Sequence, residues 1–398
     1  MIRTFSTTAF ESLIAKVAAP ENSRWIKARD TWTSLALKRL ESGPPQDETQ
    51  RRVIFEPQMI LQLAVARGIA KSPDSTWLAT QSPLWTAWAN SLSNPQFSPK
   101  IHSGIAELLA MPIAPEQSRL CKKALRIALE CCEDPDRRRE YLAAWSKHTD
   151  EPKRDEKSSI DWILENFDGE TPAMRSVMFQ AIRSRPERLA KWLDAIDRQQ
   201  ISSTGLDASQ IQSLMQVTGD LQPRVAKWLS GRVQADRQKV IDRYTDCLRL
   251  EVNLERGKQH FIQHCSACHR IDGLGIGIGP DISDSRTQTP TQLLVAILDP
   301  NRAIDNNYYR VRVQLKEGTI HDGIVVEESS EHLILKNQHS ARLVLNQTQI
   351  EAIKSSGVSL MPEGIEAQLD QQAMADLIGY IKNWRYIGGE SPALQKSR

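Results

Sequence analysis

The sequence lacks an excess of charge of either sign. Its 398 residues include 51 Lys and Arg against 49 Asp and Glu, which gives a formal net charge of +2. A chain so close to neutral has no basic field that would attract nucleic acid and no acidic tail that would bind a basic partner. We therefore expect no nucleic-acid partner.

Long apolar runs are missing as well. A transmembrane helix needs roughly 18 or more consecutive apolar residues. The best candidate, Met59 to Ala70, is interrupted by Gln62 and Arg67. We therefore expect no transmembrane segment in this sequence.

Cysteine is scarce, and two of the six cysteines form a recognisable pattern. Residues Cys265 to His269 read Cys-Ser-Ala-Cys-His, which is the C-x-x-C-H attachment signature of c-type haem. The chance expectation for this pattern in such a composition is about 0.002. Two thiols three positions apart fit on one turn, where both can add to the vinyl groups of a porphyrin. The motif predicts one covalently attached haem c, with Cys265 and Cys268 as its attachment points and His269 as an iron ligand.

Two other chemistries use the same residue types. A zinc knuckle needs a second pair of ligands at similar spacing, and the chain has no second C-x-x-C. A thioredoxin-like dithiol requires a βαβ context, which the flanking sequence does not give. Haem attachment is favoured over both alternatives.

The other four cysteines lie in segments with a helical pattern, and we interpret them as buried free thiols. They are Cys121, Cys131, Cys132 and Cys247. A bridge between the adjacent Cys131 and Cys132 would be strained, so any disulfide would involve Cys121 or Cys247.

Residues 1–250 are predicted to be α-helical throughout, without a strand. Apolar residues recur at helical spacing in four stretches: Met174 to Ile182, Leu189 to Ile196, Val225 to Val233 and Val240 to Leu248. Nine of the ten tryptophans lie in this region, and we expect most of them in the core. Amphipathic helix pairs favour a HEAT-like stack of α-hairpins, and a compact irregular helical domain is the alternative.

Residues 251–390 are predicted to form the haem domain, between a helix that ends at the motif and a last helix over Gln371 to Tyr386. Between them, apolar and polar residues alternate as in half-buried strands. We predict a small antiparallel β insertion at about 307–355, with strands in these stretches: Tyr309 to Leu315, Gly323 to Val326, His332 to Leu335 and Arg342 to Leu345.

A glycine-rich run, Gly273 to Gly279, follows the motif and leads into Pro280. A phosphate-binding loop is the obvious alternative, but no Gly-Lys-Ser/Thr follows and no strand-to-helix context surrounds it. Glycines would let the backbone pass close to a porphyrin. A histidine that binds a metal usually donates its second ring N–H to a fixed acceptor, so a partner for His269 is expected nearby.

These features resemble class I cytochromes c. In that family the first helix carries a glycine and an aromatic residue before the cysteines, and it crosses the last helix at a leucine and an aromatic residue. The matching positions here are Gly257, Phe261, Leu377 and Tyr380. The family's acceptor for the histidine is the carbonyl of a Gly-Pro pair, which Gly279-Pro280 matches.

The sixth iron ligand is predicted to be Met361, in the loop Ser359 to Gly364 before the last helix. Class I cytochromes c place their methionine ligand there, and His/Met ligation raises the reduction potential. The separation from His269 becomes ordinary for the family once the β insertion is removed. Core packing is the alternative for this methionine. Three histidines in the insertion are further candidates, although we interpret them as solvent-facing or hydrogen-bonded: His321, His332 and His339.

The whole pattern is similar to the haem-binding C-terminal module of planctomycete-type membrane-bound dehydrogenases. The similarity rests on the C-x-x-C-H motif, Gly279 to Asp281, Leu298 to Pro300, the strand insertion and Ser359 to Pro362. In that family the module follows HEAT-like helices, and a β-propeller often lies upstream. The resemblance implies single-electron transfer to or from a redox partner protein, a dehydrogenase or another carrier. The alternative is a haem-bearing scaffold for protein interaction or sensing. No catalytic site is visible, and a peroxidase would need an open iron position.

The expected location is periplasmic or otherwise extracytoplasmic, because c-type haem is normally attached outside the cytoplasm. A secretory signal would need an apolar centre near the start of the chain, where polar residues stand instead: Thr4, Ser6, Thr7, Thr8 and Glu11. We therefore expect that Met1 is internal to a longer precursor, or that export depends on a feature outside this sequence.

Overall fold

The computed structural model describes residues 11–387 except for 13, 17, 19–22, 73–74, 112–114, 150–156, 202–205, 207, 232–234, 303, 306–307 and 338–341. The chain is mainly helical and carries a five-stranded antiparallel sheet and a two-stranded hairpin. It divides into two compact units, one of Met1–Ile163 with Gln180–Ser184 and one of Leu164–Phe179 with Arg185–Arg398. The predicted mainly α class with a small antiparallel insertion is thus confirmed.

The first unit is built from helices around a core rich in tryptophan. Its helices are α1 Ser23–Ser42, α2 Glu48–Gln50, α3 Glu56–Ala70, α4 Ser75–Thr80, α5 Ser82–Ser91, α6 Pro99–Leu109, α7 Pro115–Cys131 and α8 Pro135–Trp145. Trp85 and Trp88 are buried with their rings 5.2 Å apart in a T-shaped arrangement, and Trp145 is buried as well. Tryptophan therefore serves the core, as its concentration in the sequence predicts.

A π-helical turn, Arg51–Phe55, joins α2 to α3. The continuous helix Glu48–Ala70 is long and apolar enough to cross a membrane by length and composition, but half of its most apolar window is buried inside the fold. Core helices of soluble proteins pass the same test. This one helix is therefore weak evidence for a membrane span.

The next helices are α9 Ser159–Asn166, α10 Pro172–Arg183, α11 Pro186–Asp197, α12 Ala208–Met215, α13 Gln222–Gly231 and α14 Ala235–Tyr244. The predicted apolar stripes are buried, for example Met178 in α10, Trp192 in α11 and Ile241 in α14. The described residues before Leu254 contain no strand. HEAT-like stacking of these helices stays a prediction.

The haem domain contains α15 Leu254–His264, α16 Pro290–Leu298 and α17 Gln371–Asn383. Each begins at a residue whose side chain accepts a hydrogen bond from a backbone N–H of the first turn, namely Asn253, Thr289 and Asp370. Such caps satisfy donors that have no partner within the helix. The sequence therefore specifies where all three helices start.

Helices α15 and α17 cross at Gly257. A Cβ atom at this position would lie 2.0 Å from the Asp376 carbonyl oxygen and 2.7 Å from Cβ of Tyr380. One turn later, the rings of Phe261 and Tyr380 pack 5.7 Å apart, and Leu377 is fully buried. The crossing is the one that the resemblance to class I cytochromes c predicts.

A buried carboxylate also stabilises the crossing of α15 and α17. Asp376 of α17 is 1 % exposed and accepts hydrogen bonds from Nε of Arg256 at 2.6 Å and from the backbone N–H of Asn253 at 2.7 Å. Burial by itself raises the pKa of Asp376, but these bonds and one from Gln372 hold that pKa below its ordinary value. The first turn of α15 is thus held to α17 by a charged group as well as by apolar packing.

The strands are β1 Arg270–Ile271, β2 Leu274–Gly275, β3 Tyr309–Leu315, β4 Ile320–Glu328, β5 His332–Lys336, β6 Arg342–Asn346 and β7 Ile350–Ser359. Strands β3 to β7 form an antiparallel sheet in the order β6-β5-β4-β3-β7. Its core is a cluster of alternate residues from these strands: Val311, Val313, Leu315, Leu333, Leu335 and Leu345. The predicted insertion is confirmed, and it extends to Ser359 rather than to about 355.

Strand β7 was not predicted, and neither was the hairpin of β1 and β2. Ile350 and Ile353 of β7 both pack against the sheet core although they are three residues apart. A register shift opposite Gln314 and Leu315 allows this, and it hides the period-two pattern of the strand.

Residues 164–179 and 185–250 belong to the same compact unit as the predicted haem domain. Tyr309 of β3 donates its hydroxyl to the Leu206 carbonyl at 2.7 Å, and Thr171 donates to Glu328 of β4 at 3.1 Å. Both hydrogen bonds cross residue 250, and the predicted division there stays a prediction.

Replacing Gly257 with alanine should destabilise the haem domain by about 1–3 kcal/mol, the range typical of overpacking in a close contact. The added methyl group has no room beside the Asp376 carbonyl. Gly169→Ala is the control, because the nearest atom to its new Cβ would be 3.9 Å away. Urea denaturation followed by circular dichroism measures both, and equal stabilities of the two variants would contradict the tight crossing.

Candidate functional site

The Cys265 to His269 segment folds as a compact turn at the end of α15. Backbone N–H groups of Cys265 and His269 donate to the carbonyls of Phe261 and Cys265, at 2.9 Å and 2.8 Å. A further bond of 3.0 Å runs from Cys268 N–H to the Cys265 carbonyl. The turn holds Cys265, Cys268 and His269 within one compact segment, at the end of a helix that packs against α17.

The glycine-rich segment runs back along this turn. Ile276 N–H donates to the Ser266 carbonyl at 2.8 Å, and the N–H groups of Ile278 and Gly279 both donate to the Cys268 carbonyl, at 2.9 Å and 2.8 Å. The segment is therefore hydrogen-bonded to the backbone of the motif, and its end lies close to His269.

His269 has a fixed partner in Pro280. Its Nδ1 lies 3.0 Å from the Pro280 carbonyl oxygen, which can only accept a hydrogen bond. Nδ1 therefore carries the proton of the neutral ring, and Nε2 keeps its lone pair. Burial lowers the pKa of His269, and the bond to Pro280 offsets part of this shift. Both the neutral state and the tautomer are those that iron ligation through Nε2 requires.

Gly279 lies against the face of the His269 ring. A Cβ atom here would come within 2.8 Å of Cε1 and 3.1 Å of Nδ1. Gly275 is equally restricted, because its φ is +101° and a Cβ would lie 2.2 Å from the His269 carbonyl oxygen. Glycine is therefore required at both positions for the loop to pass the histidine.

The thiols do not have the properties of a redox dithiol. Burial, helped by the neighbouring Cys268, raises the pKa of Cys265 to about 12, and burial also raises that of Cys268. Reactive thiolates have a lowered pKa instead. The motif also follows a helix and precedes a short hairpin, which is not a βαβ unit. The dithiol alternative is thus disfavoured by the structure.

The zinc alternative finds no support either. In the part of the chain that the structure describes, no group of three or more His, Cys, Asp or Glu side chains is arranged to hold a metal ion. All six cysteines are free; Cys121 and Cys247 are buried as expected, but Cys131 is exposed and Cys132 half-buried.

Met361 is half-buried in the loop that follows β7, and it is not part of the buried core. Asn301 holds this loop on both sides of the methionine. Its Oδ1 accepts from the Ser359 N–H at 2.8 Å, and its Nδ2 donates to Glu363 at 2.6 Å. None of the contacts found among the described residues joins Met361 to the motif, so its ligand role stays a prediction.

The histidines outside the motif are held in other ways. His332 contacts Glu327 at 3.2 Å and Ser329 at 3.3 Å, whereas His321 is half-buried on β4. His339 lies outside the described residues. The isolated histidines of the first unit, His102 and His148, are buried and hydrogen-bonded.

Two residues that contact the site were not predicted from the sequence, and neither was one turn. Lys336 of β5 donates to the Gly277 carbonyl, and Asn301 holds the Met361 loop. Asp272-Gly273 forms the β1–β2 turn with positive φ at both residues, 48° and 79°. An Asp-Gly pair is a strong hairpin signal and could have been found. The contacts of Lys336 and Asn301 correspond to no local sequence pattern from which they could be predicted.

Residues 254–318 match the family model of cytochrome c. The matched segment begins at α15 and contains the C-x-x-C-H motif, the glycine-rich loop and α16. It supports a cytochrome c haem-binding module and a haem-based electron-transfer protein, and the family implies covalently bound haem c. Cytochrome c domains are typically extracytoplasmic. The match ends before Met361. No curated protein matches the chain.

Replacing Gly279 with alanine should displace the His269 ring and break its contact with Pro280, because the new Cβ would overlap the ring. Gly277→Ala is the matched control two residues away, where a Cβ would meet only the Arg270 side chain, at 3.9 Å. The nitrogen-15 chemical shifts of the His269 ring report its tautomer and hydrogen bond. A ring unchanged in Gly279→Ala would contradict the packing described here.

Proposed function

We propose that this protein is an extracytoplasmic c-type cytochrome that transfers single electrons through one covalently bound, His/Met-ligated haem. The observation that carries the proposal is the His269 to Pro280 hydrogen bond of 3.0 Å within a C-x-x-C-H turn. It fixes a neutral imidazole in the same motif as two thiols, and these are the groups that hold haem c.

The residues present fit such a group. Cys265 and Cys268 would form thioethers with the two vinyl groups, and His269 would bind iron through Nε2. When bound, haem supplies a one-electron couple between Fe(III) and Fe(II). The chain's task is to hold the ligands in one arrangement.

Met361 would be the second axial ligand. The Asn301 side chain restricts the loop around it, which favours one position for the thioether. Together with His269, its thioether would raise the reduction potential of a bound haem and would leave the iron no open position for a substrate. This ligation fits an electron carrier better than a peroxidase.

The partner we propose is a dehydrogenase or another electron carrier, with the helical region as the part that docks. The support is the similarity of the C-terminal half to the haem module of planctomycete-type dehydrogenases. A haem-bearing scaffold for interaction or sensing is the second candidate, and it differs in not requiring rapid electron exchange.

Spectroelectrochemistry of the haem-loaded full chain tests the carrier role. We expect a reversible one-electron couple with fast exchange at the electrode and with a soluble cytochrome as acceptor. Very slow or irreversible reduction would contradict electron transfer and favour the scaffold.

Replacing Met361 with alanine should abolish the methionine-to-iron charge-transfer band and let exogenous imidazole or cyanide bind to the iron. Met215→Ala is the control, because Met215 is 64 % exposed on α12. An unchanged spectrum in Met361→Ala would instead assign the sixth position to another residue, with His321 and His332 the first to test.

A further inference from the structure

The glycine-rich loop is also held from the β insertion. Lys336, the last residue of β5, donates its ammonium group to the carbonyl of Gly277. The two residues are 59 positions apart in the chain. A minimal haem domain built only from the motif and its flanking helices would have no counterpart of this contact.

Lys336 projects from the interior of the sheet and not from an edge. Its backbone pairs with Ile324 of β4 on one side and with Arg342 of β6 on the other. Gly323 of β4 lets the Lys336 backbone approach this strand closely, since a Cβ at Gly323 would lie 2.8 Å from the Lys336 carbonyl oxygen. The base of the side chain is therefore fixed by two strand neighbours before the ammonium group makes any contact.

The loop is consequently bound on two sides. The N–H groups of Ile278 and Gly279 hold it to the Cys268 carbonyl, and the Gly277 carbonyl between Ile276 and Ile278 is held by Lys336. Gly279 packs on the His269 ring only two residues after Gly277, and Pro280 follows directly. A shift of the Gly277 peptide would be transmitted to the histidine's partner within three residues.

We propose that Lys336 is a positioning residue of the haem site, which couples the β insertion to His269 by holding the Gly277 carbonyl. The inference rests on the proposed function only for the role of His269 as a haem ligand. The coupling of Lys336 to His269 through the glycine-rich loop involves protein contacts alone. A hydrogen bond from a charged donor is among the stronger ones in proteins, and Lys336 is half-buried, so water competes with it less than on an open surface.

Amide hydrogen exchange of the full chain, with or without haem, tests whether Lys336 holds the glycine-rich loop. In Lys336→Met, we expect the amides of Ile278 and Gly279 to exchange about tenfold faster than in the natural chain, because the loop opens more often. Lys336→Arg keeps a charged donor and should restore most of the protection. Lys354→Met is the matched control, because Lys354 is an exposed lysine of the same sheet, on β7.

Equal exchange in Lys336→Met and in the natural chain would overturn the proposal, and so would the same increase in Lys354→Met. Circular dichroism melting of each variant shows whether the sheet itself remains folded. An increase confined to residues 276–279 in a folded protein is the result expected.

A second readout uses the haem-loaded protein. Lys336→Met should shift the nitrogen-15 resonances of the His269 ring and the midpoint potential, whereas Lys354→Met should leave the ring resonances unchanged. If the chain takes up no haem, the proposed function fails while the exchange result still decides the role of Lys336. If haem binds normally and exchange is unaltered, only the role of Lys336 is refuted.

Discussion

The site depends on one hydrogen bond, from Nδ1 of His269 to the carbonyl of Pro280. That bond fixes the His269 tautomer with the proton on Nδ1. Its acceptor, Pro280, belongs to the glycine-rich segment that runs back along the motif. The return is possible only because Gly275 and Gly279 leave room for the His269 carbonyl and ring. The Cys268 carbonyl completes the arrangement by accepting two N–H groups of the loop. The orientation of the His269 ring therefore depends on the path of the glycine-rich loop.

The fold around this bond brings distant parts of the chain together. Helix α17 presses on α15 at Gly257, where the Asp376 carboxylate also binds the first turn, so the motif starts from a fixed helix end. The β insertion contributes twice. Lys336 contacts the loop beneath the histidine, and the last strand leads directly into the loop of Met361, which Asn301 holds. The insertion thereby contacts one of the segments proposed to hold haem and is directly continuous with the other.

Much of this could be predicted from the sequence, because the decisive signals are local. The C-x-x-C-H motif, the apolar stripe of α17 and the alternation in β3 each lie within one element. Gly279-Pro280 could be assigned by resemblance to class I cytochromes c. Strand β7 was missed because a register shift breaks its period, and the Lys336 and Asn301 contacts were missed because their partners are 59 and 58 residues away. The contacts of Leu206 and Thr171 with the sheet likewise depend on side chains that composition does not reveal.

The central claim is that Cys265 and Cys268 carry a haem that His269 binds. Its most direct test is the intact mass of the denatured chain after production in the periplasm of a host with haem c maturation machinery, read together with the pyridine haemochrome spectrum. We expect a mass increase of one haem that survives acid-acetone extraction and is lost in the double variant Cys265→Ser/Cys268→Ser. A chain of unmodified mass, or haem that is extracted completely, would contradict it.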